Sequence, residues 1–181
     1  MGVIGVLVSG AGSNLQALID DGLPIVAVAS NNPSARALDR ARAAGIEEAA
    51  FPLDDYADRD ARDTAMADWL ALRGVELVVT AGYMHLLTAP FLDRFPDRIV
   101  NVHPSLLPAF PGAHAVEEAL AAGVAETGAT VHLVGAGVDT GPVLVQEPVP
   151  VRDDDTPDTL HARIQVVEHR LLPRAVRSLL A

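Results

Sequence analysis

The chain has 181 residues, a formal net charge of −11, and a composition that is half hydrophobic but only 4% aromatic. Its core must therefore be built mainly from Ala, Val and Leu, and the acidity excludes a general nucleic-acid binder, which needs a basic face for phosphates. The absence of cysteine excludes disulfides, thiolate metal sites and cysteine nucleophiles.

All thirteen basic residues are arginine. With no lysine, a bound phosphate must be held by backbone amides, hydroxyls or arginine. No apolar run approaches the roughly 18 residues of a membrane span, and the first residues lack a basic leader segment. These features predict a soluble cytoplasmic protein without a membrane partner.

Strand-length apolar runs alternate with helix-length segments. Val3 to Val8 reads as a buried strand, Asn14 to Asp21 as a helix and Ile25 to Ala29 as a second strand. A helix over Ser34 to Ala44, a short strand near Ala49 to Phe51 and a long helix over Asp58 to Leu72 follow. Further strands are expected at Glu76 to Thr80 and Arg98 to Val102. This rhythm predicts an α/β fold, a Rossmann-like, mostly parallel sheet with helices on both faces. Ligands in such sheets bind beyond the carboxyl ends of the strands.

After Pro104 the rhythm changes. Strands at Thr130 to Val134 and Val143 to Val149 flank a turn at Gly135 to Pro142. A last helix begins after Thr156-Pro157-Asp158, a threonine cap followed by an N1 proline. Leu160, Ile164, Val167 and Leu171 form its apolar stripe. Asp153 to Asp155 reads as a solvated acidic loop. Nothing in the chain marks a linker, so residues 1–181 are expected to form a single domain, with an N-terminal half to about residue 100 and a C-terminal half from about 101.

Four stretches carry chemistry. Ser9-Gly10-Ala11-Gly12-Ser13-Asn14 joins the first strand to the first helix. Its glycines permit close backbone approach, and the amides at a helix N-terminus suit an anion. The spacing fits neither the dinucleotide fingerprint nor a Walker loop, and an ordinary βα turn capped by Ser13 or Asn14 would look the same. In Asn101-Val102-His103-Pro104, the amide and the imidazole are two residues apart at a strand end, so they leave on one face. Such a pair can stabilise an oxyanion and move a proton.

Val138-Asp139-Thr140-Gly141-Pro142 places a carboxylate in a turn. It could merely cap its own backbone or, if buried, favour the charged form of a neighbouring imidazole. Ala81-Gly82-Tyr83-Met84-His85-Leu86-Leu87 ends the fourth long strand and by itself indicates only an apolar loop.

Taken in this order, from Val3 to about Pro173, the four stretches resemble the folate-dependent phosphoribosylglycinamide formyltransferase family. The resemblance implies a formyltransferase fold and transfer of a formyl group from 10-formyltetrahydrofolate, as co-substrate, to the amine of glycinamide ribonucleotide in purine synthesis. It implies no metal and no nucleic-acid partner, and leaves a homodimer open. It assigns the catalytic set to Asn101, His103 and Asp139 and the substrate phosphate to Gly12, Ser13 and Asn14. The glycinamide end falls to Glu168. Folate contacts fall to Arg59, to Met84, His85, Leu86 and Leu87, and to Gly135, Ala136, Gly137 and Val138. The phosphate-binding half then lies within about 1–100 and the catalytic and folate half within 101–181.

The chain departs from the family pattern at His85, usually arginine, at Gln165 and Ala109, commonly lysine, and in lacking the usual C-terminal tail. Methionyl-tRNA formyltransferase and formyltetrahydrofolate hydrolase resemble it less well, because each carries an additional domain for which the sequence shows no counterpart.

Overall fold

The computed structural model describes residues 2–181. Its elements, in chain order, are β1 (Ile4–Val8), α1 (Ser13–Asp20), β2 (Ile25–Ser30), α2 (Arg36–Ala43), β3 (Glu47–Ala50), α3 (Arg59–Ala71), β4 (Leu77–Thr80), α4 (Ala89–Arg94), β5 (Ile99–His103), α5 (Ala115–Ala122), β6 (Glu126–Leu133), β7 (Val143–Pro150) and α6 (Pro157–Leu180). The strands form one sheet in the order β3-β2-β1-β4-β5-β6-β7. The first five run parallel, and β6 and β7 pair antiparallel.

Every residue of β1 and β4 is buried, which explains runs that are apolar throughout instead of alternating. Side chains of β1 divide by pleat. Ile4, Val6 and Val8 join the core beneath α1, α2, α5 and α6, whereas Leu7 joins the core beneath α3 and α4. The strand order reverses between β1 and β4, and the crevice beyond their carboxyl ends is where ligands of doubly wound sheets bind.

The last helix follows its expected design. Thr156 caps it, Thr159 closes a capping box and Pro157 occupies the first turn. Leu160, Ile164 and Leu171 are buried with Leu172 and Val176, each contributing roughly 1.5–3 kcal/mol of apolar burial.

The structure departs from the sequence reading in three places. Helices α4 and α5 were not expected. The first is only six residues long and opens on a proline, too short for a periodic stripe. The second is alanine-rich and shows its core only small side chains, Ala115, Val116 and Ala119. Strand β6 begins at Glu126, four residues before the apolar run, because Thr127 and Gly128 pair with β7 despite their polarity. Asp155 is not simply solvated. It accepts hydrogen bonds from the Arg152 N–H, Thr159 and Arg163, and these contacts, led by Arg163, hold its carboxyl well below the usual carboxylate range despite desolvation.

Candidate active site

The carboxyl end of β5 gathers an amide, two imidazoles and a carboxylate. Asn101 and His103 project from the same face of β5, as their spacing requires. Opposite them in the antiparallel register lie His132 and Thr130 of β6. Asp139 arrives from the turn between β6 and β7, and its geometry explains the Asp-Thr-Gly-Pro string. Asp139 itself adopts φ 51°, a left-handed conformation that Asp and Asn tolerate better than most residues. A Cβ on Gly141 would lie 1.8 Å from the Leu133 carbonyl oxygen, so only glycine lets the turn close onto β6.

The Asp139 carboxylate lies with Oδ2 3.4 Å from His103 Nδ1 and Oδ1 3.5 Å from His132 Nε2. The Gly112 N–H donates to Oδ2 at 2.8 Å. Burial pushes the carboxyl up, but the His132 contact, the Gly112 N–H and the His103 and His132 rings outweigh it, leaving Asp139 below its ordinary value. It therefore stays ionised at neutral pH. On its other edge, His103 Nε2 donates to the Phe110 carbonyl at 2.7 Å, since a carbonyl can only accept. Both ring nitrogens of a nearly fully buried histidine thus face acceptors, which fixes the ring from both edges.

Asn101 is oriented from two sides. The Thr80 hydroxyl donates to its Oδ1 at 2.7 Å, and its Nδ2 lies 3.2 Å from His132 Nε2. His132 Nδ1–H donates to the Leu133 carbonyl at 2.9 Å, so the neutral ring offers Nε2 to the Asn101 amide as an acceptor, whereas the protonated ring turns the same Nε2–H on Asp139. One amide proton of half-buried Asn101 is left for a ligand. His132 and Thr80 were absent from the sequence-derived site. The signal available for His132 was a polar ring flanked by Val131 and Leu133 inside a strand-length, mostly apolar run.

Two strand positions away, the Ser9–Asn14 turn follows β1. Gly12 caps α1 at φ 77°, and no side chain caps the helix. Neither Ser13 nor Asn14 serves as an N-cap, so the first-turn amides remain open to an anion. A Cβ on Gly12 would meet Ala37 Cβ at 2.6 Å and Ala37 Cα at 2.8 Å, so the turn needs glycine for packing as well as for φ. Asn14 is buried and donates Nδ2–H to Glu168 Oε2 at 3.0 Å. The last helix thus reaches the first turn.

Glu168 is 4% exposed, and Asn14 is its only hydrogen-bond partner among the described residues. A buried carboxylate with spare lone pairs is costly to the fold, so Glu168→Gln should leave the thermal midpoint unchanged or raise it. If the carboxylate serves a bound amine or hydroxyl, the same variant should raise the KM for that substrate about tenfold, the loss of one charge-assisted hydrogen bond. Initial rates at varied substrate, alongside a melting curve, check both; a lowered midpoint with unchanged kinetics would make Glu168 structural.

The segments assigned to folate leave the sheet on either side of β5. Met84 to Leu87 follow β4, and Gly135 to Val138 follow β6. Met84, Leu86, Val138, Val143 and Leu144 are large apolar side chains left exposed here, a surface suited to a flat aromatic ligand. Arg59, the first residue of α3, donates to the Leu86 carbonyl.

An α/β sheet with an amide, imidazole and carboxylate at its carboxyl edge, facing a helix N-terminus across the switch point, has the groups to stabilise an oxyanion and to hold an anion. The sequence profile described as formyl transferase matches residues 3–176, and the chain belongs to that family. It is 49% identical over 179 residues to the phosphoribosylglycinamide formyltransferase of Mycobacterium tuberculosis, covering 96% of this chain and 83% of that protein. It is 45% identical over 184 residues to the trifunctional purine biosynthetic protein adenosine-3 of Drosophila melanogaster, covering 97% of this chain and 14% of the larger protein. Among solved structures, glycinamide ribonucleotide transformylase 1 from Symbiobacterium toebii superposes with a TM-score of 0.96 at 48% identity, over 98% of this chain and 86% of that one. Phosphoribosylglycinamide formyltransferase from Streptococcus pneumoniae TIGR4 superposes with a TM-score of 0.97 at 40% identity, over the whole of both chains.

Proposed function

We propose that this chain transfers the formyl group of 10-formyltetrahydrofolate to the amine of glycinamide ribonucleotide, with Asn101, His103 and Asp139 as the catalytic set. The observation that carries the reading is the His103 ring held between a carboxylate and a carbonyl at the carboxyl end of β5. The distance to the phosphate turn supports it. The ends of β1 and β5 are separated by two strand spacings, about 10 Å, which suits a ligand with a phosphate at one end and an amine at the other. The reading includes two small-molecule substrates, a cytoplasmic setting and no metal.

The amine of the ribonucleotide attacks the formyl carbon, and the carbonyl electron pair moves onto oxygen. The free amide proton of Asn101 donates to that oxygen. His103 joins it by exchanging the Phe110 carbonyl for the developing oxyanion, while Asp139 balances the imidazolium. The attacking nitrogen loses a proton; collapse then reforms the carbonyl and breaks the bond to the folate nitrogen, which takes up that proton. Holding two substrates in line supplies several kcal/mol of the acceleration; the charge-matched amide and ring supply the rest.

A spectroscopic turnover assay tests this reading. Release of tetrahydrofolate should require glycinamide ribonucleotide. Release without the acceptor would identify a hydrolase instead, and binding of both ligands without release would identify a non-catalytic binding module.

A further inference from the structure

The loop assigned to folate is anchored more heavily than an exposed loop needs. Four polar contacts grip Met84 to Thr88. The Met84 N–H donates to Ser9 Oγ at 2.9 Å. Arg62 donates to His85 Nδ1 at 2.8 Å. Arg59 donates to the Leu86 carbonyl, and the Thr88 N–H donates to Asp63 Oδ2 at 2.8 Å. Three of these four anchors come from the first turns of α3.

Arg62 and Asp63 are both wholly buried. Arg62 Nε donates to Asp63 Oδ1 at 2.8 Å, and one terminal nitrogen lies 2.7 Å from the same oxygen as an ion-pair contact without a hydrogen bond of its own. Its other terminal nitrogen turns to His85, and the second oxygen of Asp63 turns to Thr88. The pair therefore meets along one edge of each side chain and holds both ends of the loop with the other. A buried ion pair that leaves both partners with a task outside the pair is arranged for position more than for stability.

The His85 contact is an acceptor contact, because a guanidinium only donates. Burial, then the Arg62 and Arg59 charges, hold His85 below the ordinary histidine range, with the Asp63 carboxylate opposing. The ring stays neutral and available to Arg62. With Nδ1 accepting, the neutral ring carries its proton on Nε2, which packs 3.3 Å from Asn31 Nδ2 as a donor–donor contact without a hydrogen bond, while the Ser9 hydroxyl donates to Asn31 Oδ1 at 2.5 Å. Ser9 opens the turn that leads to Gly12 and Asn14, and its hydroxyl also takes the Met84 N–H. The Met84 N–H to Ser9 Oγ bond thus ties the loop to the phosphate turn, and the Arg62–His85 contact fixes the next residue of the loop.

We propose that the buried Arg62–Asp63 pair is a positioning device which, through His85 and Thr88, holds the 84–88 loop in register with the Ser9–Asn14 turn, and that this alignment sets affinity for the formyl donor. The last clause rests on the formyltransferase reading above; the clamp itself does not.

The test uses the full chain and two readouts. His85→Leu removes the acceptor at an exposed position; it orphans one donor of the buried Arg62, so the fold should survive with a modestly lowered thermal midpoint. Hydrogen exchange on the ligand-free protein should then show the Met84 and Thr88 amides exchanging about tenfold faster, and the KM for 10-formyltetrahydrofolate should rise about tenfold, the loss of one hydrogen bond to a charged group. The ribonucleotide KM and kcat should stay within about twofold. His85→Gln, whose amide oxygen can accept from Arg62, should restore both readouts. Arg62→Lys keeps the charge beside Asp63 but lacks the fork to reach both partners, and if folded it should behave like His85→Leu.

Unchanged exchange in His85→Leu would overturn the clamp even if KM rose, because His85 would then act by direct contact. Faster exchange with an unchanged donor KM would overturn the link to the donor. If the wild-type chain fails to formylate glycinamide ribonucleotide, the formyltransferase reading fails, while the exchange result still decides whether the clamp exists.

Discussion

Asp139→Asn should lower kcat by about 10²- to 10⁴-fold, the range associated with losing a positioned acid–base partner, while leaving the fold intact. The backbone supports this separation of effects. Asp139 sits at φ 51°, which asparagine tolerates equally well, and an asparagine oxygen can still accept the Gly112 N–H that now donates to Oδ2. What disappears is the negative charge facing His103 Nδ1 at 3.4 Å. An amide there either presents an oxygen of much weaker attraction or an NH2 that opposes the ring proton. Both KM values should change little, because the carboxylate acts on the ring and not on the ground-state substrates. A kcat within about threefold of wild type, far short of that range, would reduce Asp139 to a turn residue.

The same substitution has a pH signature in stability. Asp139 is held below its reference value of 3.8 when folded, so its ionised form stabilises the native state above that pH. The contribution is lost as pH falls through the lower folded value. The stability difference between wild type and Asp139→Asn should thus be constant near neutrality and shrink in acid, below about pH 4. Urea midpoints measured from about pH 7 down to about pH 3 would show it. A difference that grows in acid would mean that burial, which opposes the shift, has won.

How far the sequence reaches depends on the length of chain an argument must cross. Strands β1 and β4 were legible because both faces are buried, which forces an unbroken apolar run. The shared face of Asn101 and His103 was legible because a two-residue period is a local property of a strand. The antiparallel partner was not. His132 stands opposite Asn101 only through the β5–β6 register, which is set by an intervening helix of small residues that shows no amphipathic stripe. Arg62 and Asp63 were hidden for a different reason. Two charges inside a helix of mixed polarity ordinarily face water, and only the docking of the 84–88 loop above α3 makes them buried anchors. Where a side chain's role is decided by a segment tens of residues away, local period and composition are silent.

Asn14→Asp should raise the KM for the ribonucleotide at least about 100-fold, with a far smaller change in the KM for the formyl donor. Two terms compete at this site. A carboxylate at a helix N-terminus gains about 0.3–1 kcal/mol from the helix dipole. Against it stands Glu168, whose Oε2 is 3.0 Å from the Asn14 amide nitrogen in a buried setting. Like charges about 4 Å apart repel by roughly 4 kcal/mol at an effective dielectric near 20, so repulsion wins. The introduced carboxylate and Glu168 will relieve it by sharing a proton, at the expense of the hydrogen bond that ties α6 to α1. As pH rises, that proton leaves and a second negative charge appears beside the helix N-terminus assigned to the substrate phosphate. The ribonucleotide KM of the variant should therefore climb with pH over a range where that of the wild type is flat. Asn14→Ala, which adds no charge, should cost only about tenfold. If Asn14→Asp binds the ribonucleotide as well as Asn14→Ala does at every pH, no phosphate sits at this turn.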